Sequence, residues 1–400
     1  MPVSEVKTKV VPNALLFTLL FAGQIASTMF LPGLPELAIE LNVSRSLVQT
    51  MVPTYLAAFA ISQLMIGPLS DTYGRKPIVL LGIIIFTLAS FFCAIANDIQ
   101  TLLFCRVAQA TGACSTLVIS RAIIRDTSDG LEAAKAMAIL TIAMAVGPII
   151  APFLGGFLTS WYGWRAPFVF ITLSGLVVMY FIIFKLKETL PKDRRDPPTL
   201  KTLVINYRAL LMNREFTIYS LIVAFASGAM QAYVVSSPII FMVVMGVSPE
   251  LFGFFFMIMP SLFVLATFTS KKLMDYISID TIIIIGGIMS ISGGILQLSF
   301  GISEVQTPLP VLIAFAISNF GTGMLMSNCF YKALNSVKPE KAGTASALGG
   351  FIHFGWGAIL TVALANIEQN SSFVFSVAQL ITTSLAFITI ILFTLIFKPK

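Results

Sequence analysis

Gly67-Pro68-Leu69-Ser70-Asp71-Thr72-Tyr73-Gly74-Arg75-Lys76-Pro77 separates two long apolar runs, and its reading decides the fold. Two cations and one acid in so short a stretch do not sit in hydrocarbon, so it lies at a water interface and the runs beside it end there. Gly74 suits a left-handed turn position, and Pro77 suits the first turn of a new helix, where its missing amide donor costs nothing. The spacing predicts helix, a loop over 67–77, and a second helix antiparallel to the first.

Working outward, apolar runs of this kind recur along all 400 residues. The chain is 57% hydrophobic and 11% charged, against about 25% charged in an ordinary soluble domain. Crossing about 30 Å of hydrocarbon takes roughly 20 apolar residues in a helix, whereas barrel strands need about half that number. Backbone groups in lipid must be satisfied within the segment, so the runs read as transmembrane helices. The first run, from Asn13, passes any small-residue cleavage site and reads as a retained helix. Cys93, Cys105, Cys114 and Cys329 all fall inside apolar runs and imply neither disulfide nor metal site. The formal charge of +7 is explained by membrane topology, not by nucleic acid.

Twelve spans are expected, near 13–35, 47–67, 77–97, 100–121, 135–157, 166–186, 216–238, 250–270, 281–302, 308–330, 342–365 and 372–397. Alternating the loops places 22 of the 25 Lys and Arg on the side that holds both termini. Arg45 and Arg165 fall on the other side, and Arg106 lies within a span. By the positive-inside bias the cation-rich side is cytoplasmic. The polar, proline-containing stretch 188–214 reads as a cytoplasmic linker between two six-helix bundles, 1–187 and 215–400. The expected fold is all-α, twelve helices in two pseudo-symmetric halves, embedded in the lipid bilayer of a cell inner membrane. A faint repeat supports the division: Glu132-Ala-Ala-Lys opens the fifth span and Glu340-Lys-Ala-Gly the eleventh.

The pattern Gly67-x-Leu69-Ser70-Asp71-x-x-Gly74-Arg75-Lys76 resembles the loop signature of the major facilitator superfamily. Gln63-Leu64 before it, Ser120-Arg121-Ala122-Ile123-Ile124-Arg125-Asp126, Ser237-Pro238 and Gly343-Thr344-Ala345-Ser346 together resemble its bicyclomycin-resistance type of drug/proton antiporter. The resemblance implies alternating access between the halves. Asp71 would latch them on the cytoplasmic side against the helix that begins at Gly343, with Arg75 and Arg125 as exchange partners. Gly147-Pro148-x-x-Ala151-Pro152-x-x-Gly155-Gly156 in span five resembles the motif that marks antiporters; on its own the small-residue spacing shows only a smooth stripe for close helix packing.

Arg106 is the cation inside a span, at a cost of about 2.5–3.5 kcal/mol on insertion scales, so something must compensate it. With Gln109 and Gly112 it resembles the span-four pattern in which the arginine faces the central cavity and takes part in proton coupling. A snorkelling arginine is the alternative. His353, the one histidine, sits mid-span where the family usually carries glutamine. One departure stands out: members of this branch resemble Thr-Asp-Met-Tyr-Leu-Pro at the end of span one, and here the stretch is Ser27-Thr28-Met29-Phe30-Leu31-Pro32. Thr28 replaces the embedded acid, so Glu36, Arg106 or His353 carries coupling, or coupling is absent.

Thr28, Tyr55, Gln63, Gln109, Gln231, Tyr233, Asn319 and Asn328 supply sparse polar groups for a substrate cavity with adaptable Met and Phe walls. No phosphate loop, metal cluster or nucleophile–base pair occurs, so the chain does not read as an enzyme or a primary pump, and no cofactor is expected. The expected activity is export of small, moderately hydrophobic compounds by a monomer, with a proton as coupling ion. The alternatives are a transporter for a specific metabolite or siderophore, and a membrane scaffold or sensor.

Overall fold

The computed structural model describes residues 13–128, 130–192, 195, 200–305, 307–338, 341–367 and 371–397. Among them the ordered elements are helical. The first half comprises α1 (Asn13–Thr28), a 3-10 turn (Leu31–Gly33), α2 (Leu34–Glu40), α3 (Arg45–Gln49), α4 (Met51–Tyr73), α5 (Arg75–Ile95), α6 (Ile99–Thr127), α7 (Gly130–Tyr162) and α8 (Ala166–Lys185). A linker helix α9 (Leu200–Met212) follows. The second half comprises α10 (Arg214–Ser237) with a π-helical turn (Pro238–Val244), α11 (Pro249–Leu273), α12 (Ile279–Ile302), α13 (Pro308–Asn335), α14 (Ala342–Ala365) and α15 (Phe373–Phe397). Eleven segments are long and apolar enough to cross a membrane, and α7 adds the shorter apolar stretch Ile149–Tyr162.

Side-chain caps set several helix starts. Ser44, Asp98, Asn213, Ser248 and Ser278 each accept from the backbone N–H three residues on, which satisfies one otherwise orphaned donor. The expected loop over 67–77 is corrected: helix runs on both sides of a single break at Gly74. Pro68 lies inside α4, and its missing N–H leaves the carbonyl of Leu64 without its usual partner; the Tyr207 hydroxyl on α9 donates to that carbonyl at 3.3 Å. Ser70 and Thr72 bond back to the carbonyls of Gly67 and Pro68, so these polar residues stay helical. Pro77 falls in the first turn of α5, as its missing donor requires.

Gly74 has φ +102° and ψ 159°, a region that only glycine occupies without strain. A Cβ there would also meet the carboxylate of Glu188 and the guanidinium of Arg195. Gly74→Ala is expected to cost about 1–3 kcal/mol, read as a lower thermal unfolding midpoint of the purified protein. A midpoint equal to that of the unsubstituted chain would contradict the strain argument.

The internal repeat is clearer in packing than in sequence. A Cβ on Gly82 would strike Ser115, and one on Gly112 would strike the carbonyl of Gly82, so α5 and α6 touch backbone to backbone. In the second half Gly286 and Gly321 stand reciprocally against each other's carbonyls where α12 meets α13. Small residues let helices approach closely in lipid, where no hydrophobic force drives them together. The halves meet along two seams, α4 against α14 and α7 against α11.

Candidate functional site

At the face that carries Gly74, Arg75 forms a buried node. Its Nη1 donates to Asp71 Oδ1 at 2.5 Å and Ser70 Oγ at 2.7 Å, and its Nε donates to Asp126 Oδ2 at 2.8 Å. The Arg75 side chain is 5% exposed, Asp126 14% and Asp71 44%. Glu188, the first acid after α8, accepts from the backbone N–H groups of Arg75 (2.9 Å) and Lys76 (3.3 Å), where the N-terminal end of α5 favours an anion. Lys76 Nζ donates to the carbonyl of Ile183. Asp71 is therefore held by Arg75 within its own half. At the start of α14 stand Arg121, whose Nη1 donates to Ser346 Oγ at 3.1 Å, and Arg125, whose Nη1 lies 3.1 Å from where a Cβ on Gly343 would be. Gly67, by contrast, has only Val118 nearby, at 3.9 Å from such a Cβ.

Arg106 does not snorkel; it is 0% exposed. Nη1 donates to the carbonyl of Ala26 at 2.9 Å and to Gln109 Oε1 at 2.5 Å, and Gln109 Nε2 donates to Ser90 Oγ at 2.8 Å. The rings of Phe30 and Tyr55 each lie 4.2 Å from its Cζ, so aromatic faces supply part of the compensation. Tyr55 stacks on Phe59, and Phe59 meets Phe354 of α14 at 4.9 Å across the seam. Thr28, Tyr55 and Gln63 are buried, and each keeps a polar atom without a partner among the described residues.

The remaining expected cavity residues divide. Gln63 lies against Gly350, and Gln231 against Gly357, both on α14. His353 stands between those glycines at helical spacing, with its ring 4.4 Å from Phe354. Tyr233 is enclosed by Phe241, Phe256, Phe315 and Phe375, stacked on Phe315 at 4.2 Å. Asn319 donates to the carbonyl of Met259, and Asn328 to Ser270 Oγ and the carbonyl of Met324, so both tie α13 to α11. Glu36 lies exposed on α2 at the opposite face, near Gly163 and away from Arg106.

On α7, Gly147 packs against Gln24 and Gly155 against the carbonyl of Met29, both on the α1 segment. Pro152 and Gly156 face Gly253 and Pro249 of α11. Ala151 is buried, and the side chain of Pro148 lies outside the described residues. One stripe thus contacts the first helix on one side and the other half of the molecule on the other.

Cross-half contacts occur at both faces. Besides Arg121–Ser346 at one, the opposite face has Ser160 donating to Glu250 and Gln49 Nε2 donating to the carbonyl of Val235 at 2.9 Å. The π-helical turn at Pro238 disturbs the backbone ladder beside that carbonyl. Sequence reading did not single out Gln49, Ser160, Glu188 or Glu250, and it assigned no partner to Asp126. Asp126 closes the quoted arginine motif and Glu188 opens the linker, but their partners are more than 50 residues away in the chain. The pair Lys332–Asp280, joining α13 to α12, is the charge-reversed counterpart of Asp126–Arg75.

Residues 16–362 match the family described as Major Facilitator Superfamily. The chain is 33% identical over 379 residues to an uncharacterized MFS-type transporter, YdgK, of Bacillus subtilis, covering 93% of each chain. It is 28% identical to a bicyclomycin resistance protein homolog of Haemophilus influenzae (86% of each chain) and 28% identical to multidrug resistance protein D of Escherichia coli (89% of this chain, 90% of that one). In fold it resembles the D-xylose-proton symporter crystal structure, with TM-score 0.76, 16% identity and 97% of each chain covered. The chain belongs to the major facilitator superfamily.

Proposed function

We propose that this transporter exports small, moderately hydrophobic compounds by alternating access, with the Gly74 face in the cytoplasm and probe compounds resembling drugs as its substrates. The observation that carries the reading is the pair of cross-half contact sets, one at each face, around a centre that holds Arg106 and the buried polar groups of α1 and α4. A solute reaches that centre only when one set parts while the other holds, which is the rocking of two halves about a midplane site. Named drug-resistance relatives of matching length support export as the direction. Growth of an efflux-deficient bacterial strain expressing the chain, across chemically dissimilar drugs, tests it; no change in resistance to any drug would sink multidrug export.

The contact sets make a direct prediction. Cysteines at Arg121 and Ser346, or at Ser160 and Glu250, joined by a short reducible thiol cross-linker, are expected to stop transport in vesicles, and reduction restores it. Undiminished transport through either linked protein would rule out rocking about these seams.

Proton antiport is proposed with it. A potential of 100 mV contributes about 2.3 kcal/mol per charge moved, enough for roughly fifty-fold accumulation. Arg106 and His353 are the groups we assign to coupling, because each is a titratable side chain within a span. The measurement is substrate-induced proton release from purified protein and from His353→Gln; transport without any proton release at any pH excludes antiport. Thr28 favours a second reading, a carrier for one metabolite or siderophore without coupling. Resistance confined to a single compound class, with no pH dependence, would select it.

A further inference from the structure

The guanidinium of Arg106 is buried but only half used. Its Nη1 is committed to the carbonyl of Ala26 and to Gln109. The rings of Phe30 and Tyr55 lie beside its Cζ. Nε and Nη2 have no hydrogen-bond partner among the described residues, although the residue is 0% exposed. Those two nitrogens form one edge of the planar group, and that edge matches a carboxylate through two parallel N–H···O bonds.

Among the described residues no carboxylate bonds to it. The 18 acidic residues all stand near span ends or in connecting segments. The α1 segment that crosses the guanidinium, from Ala26 to Phe30, has Thr28 in its middle, and the Thr28 and Tyr55 hydroxyls are themselves buried without partners. A permanent cation whose Nε–Nη2 edge is buried without a partner, beside the Tyr55 ring, is complementary to an anion and repels a second cation. Apolar surface for the rest of a ligand is at hand: Tyr55, Phe59 and Phe354 form a run of rings from the guanidinium to α14.

We propose that the Nε–Nη2 edge of Arg106 anchors a carboxylate on the transported compound, so that the exported substrates are amphipathic organic anions. The carboxylate sits on the guanidinium edge and the apolar body lies along the Tyr55–Phe59–Phe354 rings. The proposal rests on the export reading and narrows it to one charge class.

Two dyes built on the same xanthene ring system test it: fluorescein, which carries a free carboxylate, and rhodamine 123, a cation whose carboxyl is esterified. Binding is measured by fluorescence anisotropy on the full chain in nanodiscs, with empty nanodiscs subtracted. The wild type is expected to bind fluorescein at least about tenfold more tightly than rhodamine 123, the scale of one charge-assisted bidentate contact. Arg106→Gln is expected to remove that preference, and Arg106→Lys to weaken fluorescein binding while keeping the preference. Thr28→Asp, which places a protein carboxylate on the same α1 segment, is expected to lower fluorescein affinity about tenfold or more. Unfolding midpoints are recorded for each variant, and if Arg106→Gln does not fold, the Lys and Thr28→Asp variants decide. Equal or tighter binding of rhodamine 123 by the wild type overturns the anion subsite and leaves export of amphiphiles standing. A fluorescein preference that survives Arg106→Gln overturns Arg106 as its anchor. Binding of neither dye overturns the anion subsite and counts against amphiphile export as well.

Discussion

Arg75→Gln is expected to be the most damaging single change at the Gly74 face, costing roughly 3 kcal/mol of stability and abolishing transport. Removing one member of a buried ion pair leaves its partner charged and desolvated, a penalty of about 3–5 kcal/mol; Asp126, 14% exposed, keeps some water and draws the estimate to the lower end. Asp71 contributes less, because at 44% exposure its pairing with Arg75 is screened by solvent. The node also holds Ser70 and orients the start of α5, whose amides bind Glu188. A double-mutant cycle with Asp126→Asn separates these effects. If the pair carries the energy, Arg75→Gln combined with Asp126→Asn unfolds at a higher temperature than Arg75→Gln alone, since no orphaned carboxylate remains. Additive losses would place the cost in the Ser70 and backbone contacts.

Gly155→Val is expected to destroy function by a different route. A Cβ at Gly155 runs into the carbonyl oxygen of Met29, a backbone atom that cannot rotate aside, and the same stripe continues through Gly156 to Pro249 of α11. Overpacking costs about 1–3 kcal/mol where side chains can shift, and the backbone of Met29, which cannot, puts this position at the upper end or beyond. Transport in vesicles and the unfolding midpoint should both fall. Gly67→Ala is the matched control for stability: its Cβ meets only Val118 at 3.9 Å, an ordinary contact, and the midpoint should stay within about 0.5 kcal/mol equivalent of the wild type. If both glycines tolerate substitution alike, the α1–α7 contact is looser than described.

Part of the site was legible because its cause is local. Arg106 announced itself, since an arginine among apolar residues has no benign place in a bilayer, and the break at Gly74 followed from a glycine beside two cations. The loop around that glycine was misread. Pro68 and the polar residues after it look like turn formers, yet they remain helical because a tyrosine about 140 residues away satisfies the carbonyl that Pro68 frees. Asp71 pairs here with Arg75, one of the two exchange partners expected for it, across the break at Gly74 where the chain turns from α4 into α5. Tyr233 illustrates the reverse difficulty. A mid-span tyrosine reads as a cavity group; Phe241 of its own span and three phenylalanines from α11, α13 and α15 surround its ring, and no pattern in α10 reveals those three.

Sequence alone determined that the chain is a multi-pass helical membrane protein with about twelve spans, and which superfamily it resembles. Those properties depend on hydrophobic length, charge placement and short motifs, each a property of contiguous residues. Only the tertiary structure decided how Arg106 is housed, which acid holds Arg75, and that the halves touch at both faces. Each of these is a contact between helices far apart in the chain. In lipid such contacts are selected by close packing and by the hydrogen bonds left over after each helix has satisfied its own backbone.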